Sequence, residues 1–283
     1  MHELTFGLKA SQQHSAMAGL QRIWMTAEEG GFDSVWLFDH FVPMGPTRAG
    51  DIFESWTLLA AMAQATRRVR IGNIVTGNVY RHPGVLAKMA VTVDHLSEGR
   101  LVMGIGAGGD DYADTMLGLP ARPAVERIAR LDEACQVLKL LWTEETATFS
   151  GEHYHLEQAV SDPKPIQRPY PPIWIGSSGE RYGLRVVAKH ADAWMSPLMR
   201  PDIAELTRLS QVLDRHCADI GRDPATIRRA TQLALPADAD ETMRVTQSVV
   251  QAGFSDIIFV PLFGGLPLVE ATAALLPRLR TLG

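Results

Sequence analysis

The residues of this chain able to do chemistry gather in four short windows, each at the end of an apolar run. Asp39-His40-Phe41 follows the run Ser34–Phe38. An imidazole titrates near neutrality, so a histidine placed there is a candidate to take or give a proton. The plainer reading is a loop capped by Asp39 with a solvated His40. The second window, Asn73-Ile74-Val75-Thr76-Gly77-Asn78, brings small and polar residues into the run that starts at Val69. It reads either as a glycine turn before a helix opened by His82-Pro83 or as a bulge that exposes backbone amides to a ligand. Gly104-Ile105-Gly106-Ala107-Gly108-Gly109 carries four glycines in six residues. Without β-carbons a flat ring or a phosphate can come close to the backbone, although tight turns use glycine as well. Gly176-Ser177-Ser178-Gly179-Glu180 precedes a helical stretch. Free amides at a helix N-terminus attract anions, and capping by either serine would use the same residues.

Other signals carry less. His153-Tyr154-His155 has a spacing seen in metal sites, but no carboxylate–histidine set accompanies it, so no metal is expected. Lys9 is expected just past the first strand rather than on it, which disfavours a Schiff-base mechanism. Ser177 and Ser178 lack the G-x-S-x-G elbow of serine hydrolases. Arg67, Arg68 and Arg70 bracket the start of a strand and read as a solvated face. Met44, Trp194, Met195 and Met199, near strand ends, suggest an apolar substrate pocket, although such residues also serve as plain packing.

The elements that must position these windows alternate. Apolar runs predict strands over Leu4–Leu8, Ser34–Phe38, Val69–Val75, Arg100–Ile105, Pro172–Ile175, Ala191–Met195, Ile227–Leu235 and Ser255–Pro261. Residues at helical spacing fill each interval, for example Met17, Leu20, Trp24 and Ala27, or Ile203, Leu206, Leu209 and Leu213. Eight strand-then-helix units predict parallel strands with helical crossovers, and in this length a closed (β/α)₈ barrel of the TIM type. An open doubly wound sheet is the competitor; it usually shows a glycine-rich turn after the first strand, which Gly7-Leu8-Lys9-Ala10 does not supply. The barrel occupies residues 1–283 as one domain. An insertion between the fourth helix and the fifth strand, about 144–171, begins with a possible hairpin at Thr146–Leu156. It continues with five prolines in Ser161–Pro172. In such a barrel the active site lies at the C-terminal ends of the strands, where all four windows fall.

Composition narrows the function classes. Of 283 residues, 46% are hydrophobic and 21% charged, as in ordinary globular proteins. The formal net charge of −5 gives no electrostatic reason to bind nucleic acid or an anionic membrane. Cys135 and Cys217 are too few for a disulfide framework or a thiolate zinc site. No apolar run is long enough to span a bilayer, and no leader pattern is visible at MHELTFGLKA, so a cytoplasmic location is expected. The expected partner is a small molecule held in a pocket.

Four blocks then carry a resemblance: GFDSVWLFDHF (31–41), ESWTLLAAMAQATRRVRIG (54–72), TGNVYRHPGVLAKMAVTVDHLSEGRLVMGIGAG (76–108) and PKPIQRPYPPIWIGSSGER (163–181). Together, in this order, they resemble the luciferase-like monooxygenase superfamily, and within it the F420-dependent oxidoreductases. The resemblance implies a (β/α)₈ barrel with a deazaflavin, F420, or alternatively FMN, across its mouth. It implies that His40 handles a proton beside the ring and that Asp39 contacts the ring system. Asn73-Ile74 match a bulge that often contains a non-prolyl cis peptide; Thr76, Ala107 and Gly108 match positions lining the cofactor. Gly176, Ser177, Ser178 and Gly179 match the segment around its phosphate and tail. A homodimer is common among such proteins. Two departures stand out. Sugar-phosphate dehydrogenases of this branch carry a glutamate where this chain has Gly109, and Pro197-Leu198 stand where a lysine is expected, so glucose-6-phosphate oxidation is not expected. Rival readings are an FMN-dependent monooxygenase served by a separate reductase, a non-catalytic flavin-binding barrel, and a metal-dependent barrel hydrolase.

Overall fold

Parity along each strand decides which side chains meet. On β1 (Thr5–Lys9), Phe6 and Leu8 face outward into the layer shared with the helices, and Gly7 and Lys9 face the barrel axis, as period-two alternation requires. The computed structural model describes residues 2–45, 48–200, 202–236, 238–262 and 265–283. The chain continues through α1 (Met17–Glu29), β2 (Ser34–Leu37), α2 (Ser55–Ala65), β3 (Arg70–Asn73), β4 (Thr76–Gly77), α3 (Pro83–Leu96), β5 (Leu101–Gly106), α4 (Asp111–Met116) and α5 (Ala124–Thr143). It then forms β6 (Ala147–Ser150), β7 (His155–Ala159), β8 (Ile173–Gly176), α6 (Gly183–His190), β9 (Ala193–Ser196), α7 (Ile203–Asp219), β10 (Arg228–Ala234), α8 (Ala239–Gln251), β11 (Asp256–Val260) and α9 (Gly265–Leu279).

The main sheet runs β3-β2-β1-β11-β10-β9-β8-β5-β4, all pairs parallel, and a β3–β5 pairing closes it. Because β3 and β4 are two segments of one barrel strand, the result is the expected eight-stranded (β/α)₈ barrel. Trp36, Val102, Trp174, Ala193, Met195, Ala230 and Ile258 fill its interior, with the rings of Trp36 and Trp174 centred 4.8 Å apart. The larger apolar layer lies between strands and helices.

The third barrel strand departs from the expected continuous run. Gly72 pairs with Val102 and Thr76 with Ile105, so four steps on one side oppose three on the other. The extra residue makes a bulge at Ile74-Val75. The non-prolyl cis peptide lies between Ile74 and Val75, one residue later than the resemblance placed it. A β-carbon on Gly104 would meet the Asn73 carbonyl oxygen at 1.8 Å, one on Gly106 would meet Val75 Cγ2 at 2.7 Å, and one on Gly176 would meet Val75 Cγ1 at 2.9 Å. The glycines of β5 and β8 therefore make room for the bulge of the third barrel strand.

The insertion holds the antiparallel hairpin β6–β7. Its turn is fixed by Glu133 of α5, whose carboxylate accepts the amides of Glu152, His153 and Tyr154 at 2.8–3.0 Å. The proline-rich stretch is tied to α3 by Asp94, which accepts the amides of Ile166 (2.7 Å) and Gln167 (3.1 Å). The short α4 was not expected; Asp110 caps it, accepting the Ala113 amide at 3.4 Å. Among the described residues no helix is long and apolar enough to cross a membrane.

The Gly104–Asn73 contact makes a direct test. Gly104→Ala forces a β-carbon into a backbone carbonyl and is expected to cost at least about 3 kcal/mol, the upper part of the overpacking range. Ala107→Gly, just past the end of the same strand, serves as a control expected to cost about 1 kcal/mol or less. Denaturant unfolding of both variants checks this; a Gly104→Ala protein as stable as the parent contradicts the packing described.

Candidate active site

A cavity of about 450 Å³ opens at the C-terminal ends of the strands. Its walls come from all four sequence windows: Asp39 and His40 after β2, Ile74 and Val75 in the bulge, Ala107 and Gly108 after β5, and Gly176, Ser177 and Ser178 after β8. Three expected site residues lie off its wall. Asn73 faces the helix side and is buried, and among the described residues its side-chain amide has no hydrogen-bond partner. Thr76 is fully buried on β4, and Gly179 is exposed beyond the rim. A second cavity, about 780 Å³, lies at the opposite end of the barrel among Leu4, Ile227 and Phe254. Its Arg229 is already paired with Asp214 at 2.6 Å.

His40 reaches this mouth because β2 ends at Leu37 and the chain turns over the barrel rim. Its Nδ1 lies 3.4 Å from Asp110 Oδ2, which leaves Nε2 as the other ring nitrogen for the cavity. Burial pushes the imidazole below its ordinary pKa; the hydrogen bond and charge of Asp110 oppose this, and the Lys9 charge adds to it. The ring is therefore neutral at pH 7 and able to accept a proton. Burial works to raise the Asp110 carboxyl, but Arg48, hydrogen-bonded to the same Oδ2, and the Ala113 amide outweigh it and hold it below the usual carboxylate range.

Asp39 was expected to contact a bound ring, yet its oxygens already have protein donors. Arg81 donates to Oδ2 (2.6 Å) and Oδ1 (3.1 Å), the Ser55 hydroxyl to Oδ1 (2.8 Å), and the Gly77 amide to Oδ2 (3.1 Å). Arg81 also donates to Glu54 Oε1 at 2.6 Å, and Glu54 caps α2 through the amides of Trp56 and Thr57. This network ties the end of β2, the start of α2 and β4 together, so Asp39 holds the loops around the cavity in place.

The expected helix-terminus anion site after β8 takes a different form. α6 begins only at Gly183, with no side-chain cap, and its Leu184 amide donates to the Gly179 carbonyl (2.9 Å). The serines thus do not cap the helix. Ser177 Oγ accepts the Gly179 amide at 3.2 Å, and the Ser177 carbonyl accepts Trp194 Nε1 at 2.7 Å. That bond explains why Trp194 does not line the cavity although Met44, Met195 and Met199 do. On β9, Met195 faces the barrel axis and Trp194 the helices.

Lys9, set aside in the sequence reading, is the largest omission. It is the last residue of β1, not a residue past it, and it lines the cavity. Its Nζ donates to Gln232 Oε1 at 3.0 Å and sits 4.7 Å from the centre of the Phe38 ring. Burial alone pushes the amine down to about 8. Extending the strand by one residue and following the parity of Gly7 would have found it, and the parity of Ala230 finds Gln232 on β10. Tyr80 was also missed; burial, then the charges of Asp114, Asp110 and Asp39, push its phenol up to about 12. Among the described residues no group of three or more His, Cys, Asp or Glu is placed to hold a metal ion.

A family model described as luciferase-like monooxygenase matches residues 4–260. The chain is 34% identical over 194 residues to an F420-dependent glucose-6-phosphate dehydrogenase of Nakamurella multipartita, covering 68% of this chain and 56% of that one. It is 31% identical over 240 residues to a protein of the same name from Intrasporangium calvum, covering 84% and 71%. The chain spans about half to two thirds of the length of the first of these curated relatives. In fold it is similar to an F420-dependent secondary alcohol dehydrogenase solved with an F420–acetone adduct, at a TM-score of 0.88 and 19% identity over 98% of this chain and 99% of that one.

Two titrations follow from this geometry. In ligand-free protein, NMR is expected to place the His40 midpoint below 6.5, and Asp110→Asn, by removing the groups that raise it, is expected to lower it further. A midpoint above 6.5, or one indifferent to Asp110, contradicts the arrangement. Lys9 titrates near 8 when folded and near 10.5 when unfolded, so its destabilising effect is full below about pH 8 and fades as pH rises toward 10.5. Lys9→Met is expected to gain up to about 3 kcal/mol of stability at pH 7, and less at pH 10. Urea unfolding at both values reads the difference; equal gains contradict the assignment.

Proposed function

The chain belongs to the luciferase-like monooxygenase family, and from that premise we propose that it is an F420-dependent oxidoreductase acting on a small organic alcohol or its carbonyl counterpart. One observation carries the reading: a neutral, carboxylate-anchored imidazole shares a 450 Å³ cavity with an apolar wall made by the inward bulge. The volume is within the range of small-molecule sites. The residues fit a deazaflavin. Ile74, Val75 and Ala107 offer it an apolar face, while the rim serines Ser177 and Ser178 offer polar groups to a tail. The curated relatives of similar sequence carry F420-dependent names, which favours F420 over FMN.

When bound, F420 supplies the two-electron hydride chemistry that side chains lack. The protein's part is to orient and to move a proton. His40 Nε2 takes the hydroxyl proton of an alcohol as it is oxidised, or returns it when the carbonyl is reduced, and Asp110 holds the ring by Nδ1. Asp39 and Arg81 keep the Gly77 turn in place. Met44, Met195 and Met199 exclude water and accept apolar substituents.

The relatives' name, glucose-6-phosphate dehydrogenase, is not carried over. Gly109 stands where those enzymes carry a glutamate, and its φ of +119° is a conformation that L side chains rarely adopt. Pro197 lines the cavity where a phosphate-binding lysine was looked for. The reading also carries a homodimer, from the family resemblance, and a cytoplasmic location, expected on sequence grounds.

Side-by-side fluorescence titration with F420 and FMN tests the proposal. F420 is expected to bind at micromolar concentration or tighter, at least tenfold better than FMN. His40→Ala is expected to keep that affinity and to lose 10²–10⁴-fold in hydride-transfer rate. Binding of FMN with none of F420 reverses the cofactor assignment, and an unaffected rate in the variant favours a non-catalytic flavin-binding barrel.

A further inference from the structure

Among the described residues the charges around the cavity are paired, with one exception. Asp39 is neutralised by Arg81, and Asp110 by Arg48 with His40 beside it. Lys9 is 6% exposed, and among the described residues no carboxylate forms an ion pair with it; its partners are the neutral amide of Gln232 and the face of Phe38. Gln232 is itself 7% exposed and reaches across the barrel interior from β10. The strand parity that places Gly7 and Lys9 on the axis side aims this amine into the same space that His40 faces. The titratable groups around it are Asp39 and His40 after β2, Tyr80 after β4 and Asp110 after β5; from β8 to β11 the described wall residues are neutral.

A buried cation without a counter-charge is costly to keep, and such groups concentrate where a ligand supplies the missing charge. We propose that Lys9 is the oxygen-binding residue of the substrate pocket: its ammonium, aimed by Gln232, holds the substrate oxygen on which negative charge develops. This rests on the oxidoreductase reading above and deepens it by naming what binds the reacting oxygen. In the reductive direction, with a reduced deazaflavin bound as hydride donor, the carbonyl carbon would accept the hydride and the C–O π pair would move onto oxygen. Lys9 stabilises that oxyanion until a proton reaches it from the imidazolium form of His40, which takes that proton up from solvent, and Lys9 itself ends the step with the protons it began with. In the oxidative direction the same ammonium favours loss of the hydroxyl proton to His40. Burial that pushes the amine down to about 8 limits this role to pH values below that point.

The test uses isobutyrate, a carboxylate the size of a small ketone, as an oxyanion probe, with neutral isobutyramide as its control. Binding is read by calorimetry on the full chain, with and without F420. Wild-type protein is expected to bind isobutyrate at least tenfold better than isobutyramide, with affinity falling as pH rises through about 8. Lys9→Met is expected to lose that preference, at least tenfold in affinity. Gln232→Glu, which gives the amine an internal carboxylate, is expected to do the same. Both variants are expected to keep F420 affinity within about threefold in the fluorescence titration. Isobutyrate binding that survives Lys9→Met, or is absent from wild type, overturns the proposal. Loss of F420 affinity in Lys9→Met with isobutyrate binding intact also overturns it, because the cation then serves the cofactor. If no protein binds F420 while isobutyrate still requires Lys9, the oxidoreductase reading fails and the oxyanion site stands.

Discussion

The mouth of this barrel depends on a steric exclusion. The third strand carries one residue more than its neighbour, and the surplus has to go somewhere. It folds inward at Ile74-Val75 because β5 and β8 present no β-carbons beneath it at Gly104, Gly106 and Gly176. A single methyl at any of these would meet backbone or side chain inside contact distance. From that packing come the apolar wall of the cavity, the placement of Gly77 against Asp39, and the loop that carries Arg81. The glycines are thus a structural device of the protein, and any ring that binds meets the valine and isoleucine they admit.

Electrostatics then divides the rim into settled and unsettled charges. Arg81 and Arg48 satisfy the two carboxylates nearest the mouth, and in doing so fix the loops after β2, β4 and β5 relative to one another. Asp110 joins three roles: it caps α4, pairs with Arg48 and orients His40. Among the described residues lining the cavity, the charge left without a partner of opposite sign is Lys9. In the proposed reading, an imidazole held neutral and a buried amine are complementary tools, one for moving a proton and the other for steadying charge on oxygen.

Much of this was legible in the sequence, and the failures have physical causes. Most strand and helix positions followed from periodicity because the barrel strands are buried on both faces and the helices around them on one. His40, the bulge, the glycine window and the serine window all fell at strand ends, and the barrel gathers strand ends into one place. The reading went wrong where the answer depended on the third dimension. Composition cannot tell a glycine that admits a ligand from one that admits Val75. Asp39 read as a loop cap or a ring contact, and its ties to Ser55 and Arg81 were hidden because those residues lie 16 and 42 positions away. Ser177 and Ser178 resembled caps, but the helix starts at Gly183. Lys9 was lost through a strand boundary drawn one residue short, and that one residue decided whether the side chain faced solvent or the axis.

A crystal structure of the protein soaked with F420 examines the central claim most directly. The account predicts the deazaflavin ring lying against Ile74 and Val75, with His40 on its open side and Lys9 across a gap wide enough for a small ketone. A ring bound elsewhere, or bound so that it fills the space between Lys9 and His40, would contradict it.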